Sequence, residues 1–157
     1  MAEFHRRTYS VARFRKEVAG LARDFELVAS TLGGMPPAFR ERIMLAVTGV
    51  NDCRYCRFMH TRIGLVSGLT RIEAARILAG DFVDVPEDDR PALEFARGWA
   101  TRNAGEDPAE RMRLVERYGQ PKADRIEMCC RLIRLGNLSG NTFDSLLFRM
   151  SRGWIGA

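Results

Sequence analysis

The sequence predicts an all-α bundle of about seven or eight helices, and three observations carry that expectation. Apolar residues recur at alternating steps of three and four along most of the chain, which places them on single helical faces. No stretch shows the sustained period-two alternation of a half-buried strand. Glycine, proline and capping residues punctuate the pattern where helices would begin and end.

Val11, Phe14, Val18, Leu21, Phe25, Val28 and Leu32 form one apolar stripe, read as a first helix closed by Gly33-Gly34 and destined for the core or for subunit packing. Met35-Pro36-Pro37 is a rigid link into a second helix striped by Phe39, Ile43, Val47 and Val50. Asn51 or Asp52 can cap a third helix, which starts at Cys53 and runs to about Ser67 before Gly68. Thr70 to Glu73 is a capping box opening a helix through Ala79. Gly80 to Asp89 reads as a loop, and Leu93, Ala96, Trp99 and Ala100 mark the next helical face. Asp107 and Pro108 open a short helix that closes at Gly119. Ile126, Cys129, Cys130 and Ile133 then form one stripe, with Met128, Leu132 and Leu135 on a second side, as expected of a central helix. Gly136 and the segment Asn137 to Asn141 read as breakers, after which Phe143, Leu146, Leu147, Met150 and Trp154 make a last amphipathic stripe. Trp154 and Ile155 form a short apolar tail suited to a neighbouring subunit. No linker or repeat divides the chain, so residues 1–157 are read as one domain.

The chain has 157 residues, 46% hydrophobic and 29% charged, which leaves disorder and low-complexity polymers without support. No apolar run approaches the ~18–20 residues that span a bilayer, and the first residues lack a signal-type apolar core, so a cytoplasmic location is expected. Net charge is +5, and all but two of the 25 basic residues are arginines. They are scattered rather than clustered, which favours local ion pairs and solvated helix faces over a nucleic-acid surface. His5 lies in a basic N-terminal stretch and is expected to be solvated or disordered.

The chemistry concentrates in one segment. On a helix, Cys53 and Cys56 are i,i+3 neighbours and Cys56 and His60 are i,i+4 neighbours, so all three share a stripe. Cys53, in the first turn, meets unpaired N–H groups and the positive end of the helix dipole, which favour a thiolate. His60 is placed to take a proton from Cys56 or to stabilise its anion. A carboxylate behind the imidazole would fix its tautomer, and Glu41 on the preceding helix is the candidate. A zinc site of Cys53, Cys56 and His60 with a distant ligand such as Cys129 is the metal alternative. Arg57 stands where a covalent haem motif needs histidine. Cys129 and Cys130 read as small buried hydrophobes, with side chains about 100° apart that disfavour a bond between them.

Glu41, eleven residues, Cys53, two residues, Cys56, three residues and His60 resemble the signature of the alkylhydroperoxidase D branch of the carboxymuconolactone decarboxylase family. The likeness continues more loosely through Gly68-Leu69-Thr70 and the helix ending at Gly80. It implies an all-α, oligomeric protein, a trimer or hexamer, that reduces hydroperoxides through its cysteine pair. Carried onto this chain, Cys56 is peroxidatic, Cys53 resolving, and Glu41 with His60 the proton relay. The regenerating partner would be a dithiol, either lipoyl groups or a thioredoxin-like protein. No cofactor, metal, nucleic acid or membrane is expected. Some members carry histidine where this chain has Tyr55, which is left to hydrogen-bond in the site or to pack. The family's decarboxylases typically lack the cysteine pair, so its presence counts against that non-redox alternative.

Overall fold

The computed structural model describes residues 3–105, 107–151 and 153, and those residues contain eight helices. They are α1 (Val11–Arg23), α2 (Phe25–Gly34), α3 (Pro37–Asn51), α4 (Arg54–Val66), α5 (Arg71–Ala79), α6 (Arg90–Thr101), α7 (Pro108–Tyr118) and α8 (Gln120–Met150). The expected fold class is therefore met. Trp154 and Ile155 lie outside the described residues.

α3 is the axis of the bundle and packs against α4, α5, α6 and α8. Its apolar residues Ile43, Leu45 and Val47 are fully buried, and Ile77, Leu93 and Ile126 from α5, α6 and α8 join them in one core. Gly49 permits the tight α3–α5 crossing, because a Cβ there would stand 2.2 Å from the Leu78 carbonyl oxygen. The capping box at α5 is complete. The Glu73 N–H donates to Thr70 Oγ1 at 3.0 Å, and the Thr70 N–H donates to Glu73 Oε2 at 3.4 Å.

Three expectations change. The stripe from Val11 to Leu32 belongs to two helices, broken at Asp24, whose carboxylate is held by Arg131 Nη1 at 2.7 Å. That stripe is not core: Val11 is 78% and Phe25 68% exposed, so the apolar face lies on the outside of the helix bundle. Between Gly136 and Asn141 there is no break, and α8 runs on through 31 residues. Asparagine and glycine disfavour a helix only when nothing else holds them. Here Asn137 and Asn141 are buried and hydrogen-bonded to α3. The N-terminal stretch is also anchored. His5 is exposed, but Arg6 reaches Asp144 and Arg7 Nη2 donates to the Thr101 carbonyl at 2.9 Å. Many other arginines are ion-paired, some locally, as Arg76 with Asp81 and Asp84, and some between distant segments, as Arg42 with Glu73 and Asp89. No helix among the described residues is long and apolar enough to cross a membrane.

Candidate active site

The site lies where α3 turns into α4. Asp52 closes α3 in the left-handed conformation (φ 52°, ψ 45°) with its N–H on the Thr48 carbonyl. The next residue, Cys53, is extended and becomes the N-cap of α4 rather than part of its first turn. Its sulfur takes the place of the usual capping oxygen and accepts the Cys56 N–H at 3.3 Å. The two sulfurs are 2.6 Å apart and hydrogen-bonded, and all four cysteines are free thiols.

The capping position divides the pair electrostatically. The hydrogen bond with the Cys56 thiol does most to lower Cys53. Burial opposes it, and the N–H groups of Cys56 and Tyr55 add to it, bringing Cys53 down to about 7. Cys56 is pushed up from its ordinary value, first by the same hydrogen bond and then by burial. Cys56 therefore holds a shared proton more firmly than Cys53 does. Exposure divides the pair the other way. Cys53 is fully buried, while Cys56 is half-buried and lines a cleft of about 270 Å³ with His60, Tyr55, Met59 and Leu132.

His60 Nδ1 lies 2.7 Å from Glu41 Oε2, and Glu41 is buried on α3. This contact selects the tautomer with the proton on Nδ1 and leaves Nε2 as the nitrogen with a lone pair. The structure thus brings Glu41, Cys53, Cys56 and His60 together. Among the described residues no hydrogen bond joins His60 to either thiol. The imidazole and Cys56 meet across the cleft they both line.

Sequence reasoning missed what α8 contributes. Gly140, read as a breaker, admits the pair: a Cβ there would lie 2.8 Å from Cys53 Sγ and 3.2 Å from Tyr55 Cδ2. Asn137 helps hold the anionic form of Cys56, and its Nδ2 donates to Thr48 Oγ1 at 3.1 Å. Asn51 Nδ2 donates to Asn137 Oδ1 at 3.1 Å, so a buried polar ladder joins α3 to α8 beside the cysteines. The signal available was the four-residue spacing of Gly136, Gly140 and Asp144 and of Asn137 and Asn141, a small and polar stripe inside an apolar helix. Tyr55 hydrogen-bonds as well as packs, donating to Asp144 Oδ1 at 2.7 Å beside Phe143.

Cys129 and Cys130 are fully buried, and burial raises both thiols. Cys129 Sγ faces the Arg40 carbonyl at 3.8 Å. Among the described residues no group of three or more His, Cys, Asp or Glu side chains is arranged to hold a metal ion.

No curated protein and no solved structure matches the chain. One family profile does, over residues 19–102, more than half of the sequence and a span that includes Glu41, Cys53, Cys56 and His60. The chain belongs to the carboxymuconolactone decarboxylase family.

Proposed function

We propose that this protein is a cysteine-dependent alkyl hydroperoxide reductase, similar to the alkylhydroperoxidase D branch of its family. One observation carries the reading: a free cysteine pair caps a helix, and its outer member shares a cleft with a histidine held by a buried glutamate. The apolar walls of that cleft suit an organic hydroperoxide.

The steps follow from where the proton and the charge sit. A peroxide enters beside Cys56. The Cys56 proton passes across the short S···S contact to Cys53, and the Cys56 thiolate attacks the outer peroxide oxygen. The O–O bond breaks, Cys56 becomes a sulfenic acid, and the alkoxide leaves as an alcohol by taking a proton that His60 has first accepted at Nε2 from solvent. Cys53 passes its proton to the now neutral Nε2 of His60 and attacks the Cys56 sulfur as a thiolate, closing a disulfide and expelling hydroxide, which takes that proton and leaves as water. Glu41 holds the imidazole in one tautomer throughout. A dithiol donor, lipoyl or thioredoxin-like, then restores both thiols. The enzyme acts in the cytoplasm as a closed homo-oligomer, a trimer or hexamer. The outward apolar faces of α1, α2 and α8 support that assembly.

The test is peroxide consumption by metal-free protein with a dithiol donor, alongside single-cysteine variants. Cys56→Ser is expected to abolish the first reaction. Cys53→Ser is expected to react once and stall, leaving a sulfenic acid that dimedone traps. Reversed behaviour would make Cys53 the attacking residue. A wild type whose cysteine pair ignores peroxide would return the chain to the non-redox chemistry of its family.

A further inference from the structure

Both residues between the cysteines reach the same carboxylate. Arg54 Nη2 and the Tyr55 hydroxyl each donate to Asp144 Oδ1 at 2.7 Å, and Arg6 Nη1 donates to Oδ2 at 3.0 Å. Asp144 is wholly buried, where an ionised carboxylate persists only when paired and hydrogen-bonded. Here it has two guanidinium groups and a phenol. On α8 it stands one turn beyond Gly140, the residue whose missing Cβ admits Cys53 Sγ. The carboxylate therefore lies on the helix face against which the cysteine turn rests.

We propose that Asp144 is a positioning residue for the cysteine pair: it clamps Arg54 and Tyr55, and its charge, set against those of Arg6 and Arg54, governs how readily the pair gives up electrons. The proposal rests on reading the pair as a redox centre. The charged and titratable groups around Cys53 are Arg6 from the N-terminal segment, Asp52 from the end of α3, Arg54, Tyr55 and Cys56 from α4, and Asp144 from α8. His60 lines the cleft with Cys56, and Glu41 lies behind it on Nδ1. The negative charge of Asp144 works against an anion on Cys53. Removing it stabilises the thiolate, and stabilising the thiolate favours the reduced pair over the disulfide. Removing the positive charge of Arg54 acts in the opposite direction, more weakly because that side chain is 47% exposed.

The experiment equilibrates the full-length protein with mixtures of glutathione and glutathione disulfide. Oxidation of the pair transfers two electrons to glutathione disulfide, giving two glutathione molecules and the Cys53–Cys56 disulfide. The fraction oxidised is read by the mass shift of labelled thiols. Asp144→Asn is expected to move the equilibrium toward the reduced pair severalfold, short of the tenfold of a full one-unit change in thiol pKa, because its charge is the last of the influences on Cys53. Arg54→Gln is expected to move it toward the disulfide by about two- to threefold. Opposite shifts support the proposal. Shifts in the same direction, or no shift in either variant, overturn it even if the wild type consumes peroxide. If Asp144→Asn loses its helical circular dichroism, Arg54→Gln decides alone, and an unmoved equilibrium overturns the proposal. A wild type inert to peroxide whose variants still shift in opposite directions would sink the peroxidase reading and leave this one standing.

Discussion

The two halves of α8 differ in what they bury: the first completes the apolar core, while the second mixes Leu138 and Phe148 with a buried polar stripe. In the first half Ile126, Cys129, Cys130 and Ile133 point inward and complete the apolar core. In the second half Asn137, Asn141 and Asp144 are buried, while Phe143, Leu146 and Met150 face outward. The helix keeps its geometry and changes its partner. Its first half lies on the apolar part of the bundle. Its second half meets Thr48 and Asn51 at the end of α3 and the cysteine turn at the start of α4. Polar residues buried against polar partners make a costly interior unless each finds a hydrogen bond, and such interiors occur where chemistry needs them.

A paired substitution tests that division most directly. Ile126→Ala in the first half should cost about 2–5 kcal/mol of stability by leaving a cavity. Cys53 and Cys56 in that variant should still form their disulfide at the wild-type equilibrium. Gly140→Ala in the second half should cost less, about 1–3 kcal/mol, because one methyl group overpacks the site. It should nonetheless disturb the cysteine pair strongly, since the new Cβ would contact Cys53 Sγ at 2.8 Å. Gly136→Ala is the control, because its Cβ would meet Cys56 Sγ at an ordinary 3.9 Å. Denaturant unfolding and thiol labelling on each variant separate the two effects. A Gly140→Ala protein with unchanged thiol reactivity would show that the close approach is immaterial.

The same division explains what was legible in the sequence. Thr70 and Glu73 announced α5 because a capping box is a local device that needs no distant partner. Ile126 to Ile133 announced a core helix because its partners are apolar, which is what periodicity detects. Phe143 to Met150 is the amphipathic stripe that periodicity detects, although periodicity finds an apolar face without saying what covers it. Asn137 to Asn141 read as breakers because their helical state depends on hydrogen bonds to residues about ninety positions away. The break at Asp24 has no local signal because the ion pair that holds it, with Arg131, is more distant still in sequence. Glu41 is the instructive case: alone it resembled any polar residue of an amphipathic helix, and only the family spacing singled it out for a place 2.7 Å from His60.

The next effect concerns a single proton. Cys53 sits at about 7, below the ordinary thiol value, with the hydrogen bond from Cys56 as the first cause. A depressed acid stabilises the fold above its unfolded pKa, and that stabilisation is lost as pH falls through the folded value. Cys53 should therefore contribute a rise in stability from about pH 7 toward the ordinary thiol range near 8.5, set against the fall that the raised Cys56, Cys129 and Cys130 thiols contribute as pH climbs into that range. Cys56→Ala removes the hydrogen bond, so Cys53 should titrate higher and this rise should flatten. Thiolate absorbance at each pH reads the titration, and urea unfolding at the same pH values reads the slope. A Cys56→Ala protein that keeps the wild-type titration would assign the lowered value to the helix N-terminus alone.

The smallest expected effect on the protomer comes from the outward face of the second half of α8, yet it reports on assembly. Leu146 is 53% exposed between Phe143 and Met150, which are also exposed. On a free protomer, a charge at such a position changes stability by no more than about 0.5 kcal/mol, because little apolar area leaves or enters water. If a neighbouring subunit covers the face, the same charge must be buried unpaired, and the interface cannot tolerate it. Leu146→Glu should therefore leave helicity and the capacity of Cys53 and Cys56 to form a disulfide intact while lowering the mass seen by light scattering to that of a smaller species. Wild-type protein should scatter as a closed oligomer at micromolar concentration. An oligomer that persists in Leu146→Glu would place the contact elsewhere, with the exposed Val11 and Phe25 faces of α1 and α2 next to be tested.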